Sequence, residues 1–193
     1  MSFYPEPYPV PAELKTTQFT IRPLTPAHVE LDFGALMDSV QMLRLWSGSP
    51  WPTVEFTLAD NLADLKWHFR EHQERIAFTY TVLSPDEKEC LGCVYIKPLQ
   101  LFQNQLPIHL NPVTNLDGTT RFWIREPYLA NRLDRQLLNV LVDWFENEWQ
   151  FTRHFFHART AHEQQVQLFE RASLAQQFSL NLPARGGSFF FYA

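Results

Sequence analysis

The residues of this chain that could do chemistry fall in a few short stretches. His68-Phe69-Arg70-Glu71-His72 reads H-x-x-E-H. On a helix, His68 and His72 would share a face and could chelate zinc, with Glu71 as general base. The flanking KWHFREHQER has the polarity of a solvated helix end, and no third ligand stands out. Cys90 and Cys93 form a C-x-x-C, the spacing of a redox dithiol or of half a zinc site. They fall in a strand-like run, LGCVYI, and not at a helix N-terminus, where a thiolate is favoured. With no second C-x-x-C, they are expected to be two reduced core thiols, and no metal is expected. His154 and His157 also lie three apart, but on a strand that spacing points them to opposite faces. Trp46 and Trp51 flank a Ser-Gly-Ser-Pro loop. They could stack on a substrate or plug the core beneath that loop. No Gly-x-Ser-x-Gly elbow, Walker loop or dinucleotide fingerprint is present.

The elements that must position these residues can be read from patterning. The chain has 193 residues, the size of one ordinary domain with a sizeable core. Hydrophobic content of 45% against 19% charged marks a globular protein, not a disordered one. A net charge of -5 argues against general nucleic-acid binding, which needs a basic footprint. No apolar run approaches a membrane span. The start, MSFYPEPYPVPAEL, lacks the basic and apolar regions of a signal peptide, so a cytoplasmic location is expected. Its prolines favour an extended arm over residues 1–18, laid on a domain of 19–193.

Phe19 to Arg22 alternates like a strand. Thr25-Pro26 opens a helix through about Val40. Ser47 to Pro52 is a loop. Thr57 caps a helix through about Arg75, with Leu58, Leu62, Leu65 and Phe69 as its stripe. Ile76–Leu83 and Leu91–Ile96 form a hairpin around Ser84-Pro85-Asp86-Glu87, with Phe78, Tyr80 and Val82 on one face. Residues 99–118 read as a long loop. Arg121–Arg125 is a strand, Leu133–Trp149 a helix, Arg153–Arg159 a strand and Ala161–Leu174 a helix. Phe178–Leu182 and Ser188–Tyr192 are closing strands. Mixed α/β (α+β) order around one sheet follows. Exposed strands such as SFFFYA could pair between copies, which makes a homodimer an expectation.

This order resembles the GNAT superfamily, the acyl-CoA-dependent N-acyltransferases, from Phe19 to Tyr192. RFWIREPYLANRLDRQLLNVLVDW looks like the family's fourth strand and following helix. HARTAHEQQVQLFERASL looks like its segment ending in a short helix and a Gly-Phe pair. The resemblance implies a single domain, with a mixed, mostly antiparallel sheet flanked by about four helices. It also implies an acyl-CoA such as acetyl-CoA as co-substrate and a small-molecule or peptide amine as acceptor. In the family, Gln/Arg-x-x-Gly-x-Gly/Ala before that helix cradles the pyrophosphate on backbone amides and the helix dipole. Aligned on Leu137-Leu138, its first position is Leu129, its first glycine is Arg132 and its second is Asp134. A carboxylate then stands where a phosphate should. Arg132 and Arg135 could compensate, with Leu133 between them. The Tyr that often protonates the leaving thiolate is matched by Phe169, a frequent Asn by His162, and the Gly-Phe pair by Ser173-Leu174.

The resemblance implies that Ile124 or a neighbour such as Arg125 offers a backbone N–H to the thioester carbonyl. Asp117, Glu126 and His162 are the candidate bases. The acceptor would lie between the first two helices and the later hairpins, and an acidic cleft there would favour a cationic one. Two other classes stay open: a non-catalytic ligand-binding or interaction protein, and a zinc hydrolase.

Overall fold

The computed structural model describes residues 3–193. Eight strands form one sheet: β1 Leu14–Lys15, β2 Thr20–Pro23, β3 Phe78–Leu83, β4 Cys90–Pro98, β5 Asp117–Ile124, β6 Arg153–Arg159, β7 Gln176–Leu182 and β8 Gly187–Tyr192. Their order is β1-β2-β3-β4-β5-β6-β8-β7. Neighbours are antiparallel except β5 and β6, which run parallel. The helices are α1 Val29–Met37, α2 Val40–Ser47, α3 Leu58–Gln73, α4 Leu133–Asn147 and α5 Glu163–Arg171.

The helix expected to run from Thr25 to Val40 is broken. A 3-10 turn over Pro26–His28 precedes α1, and a second helix, α2, follows Ser39. Ser39 leaves helical geometry at φ -127°. Its hydroxyl accepts the Glu126 N–H at 2.9 Å and does not cap α2. The break turns Trp46 inward. Thr57 caps α3, as the sequence implied, and the structure adds a reciprocal capping box with Asp60.

Strand alternation gives the sheet two faces. Phe78, Tyr80, Val82, Phe122, Ile124, Phe156 and Ala158 share one core with Leu137, Leu138 and Leu141 of α4 and Phe169 of α5. The arm is anchored in this core at Phe3 and Tyr4 and not merely laid over it. Phe3 and Tyr4 are buried, and the Tyr4 hydroxyl accepts the Gln150 N–H at 2.8 Å. On the opposite face, Leu36, Leu43 and Trp46 pack on Cys90, Cys93 and Trp123. The 99–118 segment contains short 3-10 turns at Leu99–Phe102 and Ile108–Leu110 and seals the far half of that face against Phe155, Phe178 and Phe191. Between these two coverings the face is open.

Two expectations are corrected. SFFFYA is no edge: β8 lies between β6 and β7, hydrogen-bonded on both sides. Asp117 does not face a site. It is fully buried at the start of β5 and accepts from Thr114 N–H (2.6 Å) and from Arg153 Nε (2.9 Å) and Nη2 (2.6 Å). Burial alone would raise its pKa, but the Arg153 and Thr114 hydrogen bonds outweigh burial and hold the carboxyl below its ordinary range.

Candidate functional site

The β5 and β6 strands stay in register only from Asp117↔Arg153 to Thr120↔Phe156. Beyond that they part, because β6 continues with β8 and β5 continues with β4. The Arg125 N–H donates to Leu91 O, so alternation turns the backbone of Phe122 and Ile124 toward the gap. The Ile124 N–H thus faces the gap.

Directly in front of the gap lies a cleft of about 550 Å³. It is walled by the loop after α2, by α3 and by the β7–β8 turn. Trp46, Trp51, Trp67, Tyr95, Phe102 and Phe189 supply its rings. At one end Gly48 and Gly186 touch. Both hold positive φ (+73° and +89°), and a Cβ on Gly48 would lie 2.9 Å from Gly186 Cα and 2.6 Å from Arg159 Nε. Only residues without a side chain let the two loops close there.

The cleft's cations come from two strands and a turn, positions that sequence reading passed over. Arg121 on β5, Lys97 on β4 and Arg185 on the β7–β8 turn all line it. Arg121 Cζ sits 4.0 Å from the Trp46 ring centre, and its Nη2 donates to the Trp46 carbonyl. Burial, with Arg159 nearby, pulls the Arg121 pKa down to about 9. Lys97 is also pulled down, chiefly by burial. His157 is buried with Nδ1 unpartnered, and burial and the surrounding cations keep it neutral. His68 joins the rim, its Nδ1 3.3 Å from Glu71 Oε2. The condition that would favour a cationic acceptor, an acidic cleft, is not met: among the described residues Asp64 is the single lining carboxylate, against Lys97, Arg121 and Arg185.

Behind the floor, the Phe122 carbonyl accepts two side-chain donors, Trp46 Nε1 and Gln165 Nε2, both at 2.8 Å. These groups fill the gap from its two sides. Only about 20 Å³ of space remains beside Phe122, Ile124, Leu129, Asp134, His162 and Gln165. His162 is buried there with Nδ1 unpartnered, its pKa lowered mainly by burial. Trp46 thus both lines the cleft and plugs the gap, while Trp51 is a wall residue set edge-on to Phe56.

The remaining candidates are dispersed. Glu126 is exposed just beyond β5, so Asp117, Glu126 and His162 do not converge. Arg125 is engaged by Asp38 and Glu89. Phe169 is fully enclosed by Phe122, Phe156 and Tyr192 and reaches neither cleft nor gap. At the start of α4, Arg132 takes a left-handed conformation (φ 55°) and Leu133 is buried. Asp134 Oδ1 accepts the Arg135 N–H at 2.8 Å. Burial raises the Asp134 pKa. A phosphate cradle of free first-turn amides does not fit these residues, because the chain's own carboxylate holds one of them.

Among the described residues, His68 and His72 belong to no group of three ligand atoms, whereas those of Asp32, Cys90 and Cys93 lie within 4.8 Å of one another. His72 packs edge-on against Phe78 and Tyr80, away from any third ligand. Cys90 and Cys93 are free and buried. The register slips between Val82 and Leu83, which brings both thiols to Asp32 on one face although they lie three apart. Asn61 Nδ2 donates to that carboxyl at 3.0 Å, and burial raises the pKa of both Asp32 and Cys93.

No family sequence model matches the chain, and no curated protein matches it by sequence. Solved structures do match it. It is similar to a ribosomal-protein-S5-alanine acetyltransferase from Vibrio fischeri (TM-score 0.70, 13% identity, 94% of this chain and 95% of that one). It is also similar to the microcin C7 self-immunity acetyltransferase MccE, solved with acetyl-CoA and AMP (TM-score 0.71, 12% identity, 95% and 96%). A third is RimL, a ribosomal L7/L12 α-N-protein acetyltransferase solved with coenzyme A (TM-score 0.69, 14% identity, 92% and 93%). The fold is therefore that of the GNAT acetyltransferases. Among the described residues no helix is long and apolar enough to cross a membrane.

Proposed function

We propose that this protein is an N-acyltransferase that uses an acyl-CoA as donor and a small amine, bound in the cleft, as acceptor. One observation carries the reading. The strands β5 and β6 diverge immediately behind a cleft large enough for a small molecule, so two reactants entering from opposite faces would meet at Phe122. Relatives of this fold solved with CoA or acetyl-CoA support it. Within the cleft, the chain's own groups would hold the amine against the Trp46 and Tyr95 rings. His68, oriented by Glu71, would take the proton that an ammonium must lose before it attacks. On the gap side, His162 is the remaining candidate for proton transfer, and the Ile124 N–H for the oxyanion. No step is assigned to the phosphate end, whose turn lacks the cradle.

A second reading is a GNAT-fold binding protein that has given up the cofactor. The closure of the gap by Trp46 and Gln165 and the seat of Asp134 on a first-turn amide favour it. Isothermal titration with acetyl-CoA, CoA and longer acyl-CoAs, followed by thiol release in the presence of an amine panel, separates the two. Micromolar binding with amine-dependent CoA release supports transfer. Absence of binding to every acyl-CoA overturns it in favour of the second reading.

A further inference from the structure

Outside the cleft floor, four half-buried arginines are neutralised by carboxylates, while Arg44 and Arg159 are held by backbone carbonyls. Arg22 pairs with Glu13 and Glu87, Arg75 with Glu6, Arg125 with Asp38, and Arg153 with Asp117. Among the described residues, no carboxylate oxygen forms an ion pair with Arg121, Lys97 or Arg185. Arg121 Nε is shut from solvent without any partner, as are the Nε atoms of Arg22 and Arg75, but Arg121 has no carboxylate on its other nitrogens; His157 Nδ1 is unpartnered too. His157 is only 7% exposed. Its ring stacks on Phe191 with centroids 4.8 Å apart.

Three cations converging on one cavity repel one another, and burying an unpaired guanidinium is costly. The acidic groups nearby do not resolve this. Asp64 stands on the α3 wall beside His68, and Glu71 is hydrogen-bonded to His68. The chain therefore gathers three cations without an ion-paired carboxylate around one cavity ringed by aromatic side chains, with Glu71 acting on Lys97 only through space and Arg185 at the exposed edge.

We propose that the cleft binds a small molecule carrying a carboxylate, which pairs with Arg121 in the floor, flanked by Lys97 and Arg185, while its apolar or aromatic body lies against Trp46, Trp51 and Trp67. The guanidinium of Arg121 already stacks on Trp46 at 4.0 Å, which fixes its plane for a two-pronged carboxylate contact. The volume of about 550 Å³ suits a ligand of amino-acid to dipeptide size. If the protein is an acyltransferase, its acceptor is then an amine that also bears a carboxylate. The inference rests on the cleft and not on acyl transfer. Its test contains no acyl-CoA, so either reading can fail alone.

The full chain would be titrated with phenylacetate, N-acetylphenylalanine, their neutral amides and phenyl phosphate, with intrinsic tryptophan fluorescence and calorimetry as readouts. Each carboxylate is expected to bind roughly 10-fold or more tightly than its amide, with affinity falling as salt rises. Arg121→Gln should abolish that preference. Because its guanidinium also supports the Trp46 carbonyl, Lys97→Met and Arg185→Gln serve as variants outside that contact, each expected to weaken the carboxylates by roughly 3-fold or more. Equal affinity for acid and amide overturns the proposal, as does unchanged binding in both Lys97→Met and Arg185→Gln. Tighter binding of phenyl phosphate than of either carboxylate overturns the carboxylate assignment. Failure of every probe to bind at millimolar concentration overturns it entirely.

Discussion

Asp134 is the residue on which the cofactor question turns. Its carboxylate accepts the Arg135 N–H at 2.8 Å, in the space an anion at the head of α4 would take. A phosphate brought to the same amides would lie about 5 Å from that charge. With an effective dielectric near 40 for a half-exposed site, the repulsion is roughly 1.7 kcal/mol per phosphate charge. Replacing Asp134 with Asn keeps an oxygen acceptor for Arg135 and removes the charge. For a diphosphate the gain is about 1.5–3 kcal/mol, or roughly 10- to 150-fold in Kd. The assay is calorimetric titration of CoA into wild type and Asp134→Asn between pH 5 and pH 8. Burial raises the Asp134 pKa, so its proton returns as the pH falls toward the carboxylate range. The wild type should gain affinity on acidification and approach the variant, whose affinity changes little over that range. Two results would refute the reasoning: a variant within twofold of wild type at every pH, or a wild type that binds CoA tightly at pH 8.

Three further outcomes are expected. Burial lowers the His72 pKa to about 4, so its contribution to stability is present above pH 6.5 and lost as pH falls toward 4. That is about 3 kcal/mol, and urea unfolding of His72→Phe at pH 7 and pH 4 should show a correspondingly smaller acid loss than wild type. Asp117→Asn leaves Arg153 without its carboxylate and should cost about 3 kcal/mol at pH 7. Because the folded pKa of Asp117 is depressed, that difference should vanish as pH drops through it, measured by thermal melts; a pH-independent loss would count against the ion pair. Gly48→Ala places a methyl 2.6 Å from Arg159 Nε at φ +73°. It should destabilise the fold by about 2 kcal/mol or more and reshape the cleft, and an unchanged melting temperature would contradict the tight loop contact.

How much of this was legible depends on the range over which the signal acts. The Thr57 cap and the apolar stripes of α3 and α4 are local, and their elements appear where patterning put them. The β6 bounds match the expected Arg153–Arg159. The α1–α2 break was hidden because its cause, Ser39 bonding to Glu126, joins residues 87 positions apart. The same holds for the cleft. Lys97, Arg121, His157 and Arg185 come from four separate segments, and only the strand registers bring them together. The missing glycines at Arg132 and Asp134 were readable. The closure of the gap was not, since Trp46 and Gln165 approach one carbonyl from 76 and 43 residues away. The slip at Val82/Leu83, which unites the thiols with Asp32, also left no mark in the alternation.

The double duty of the Trp46 indole has a thermodynamic consequence. One edge binds the Phe122 carbonyl inside the gap, and one face covers Arg121 in the cleft. Any occupant of either space that displaces the ring changes the other space by the same motion. Linkage is reciprocal, so an occupant of the gap must alter affinity in the cleft by the factor that a cleft ligand imposes on the gap. Two compartments that share a single wall respond as one, whichever of them is filled.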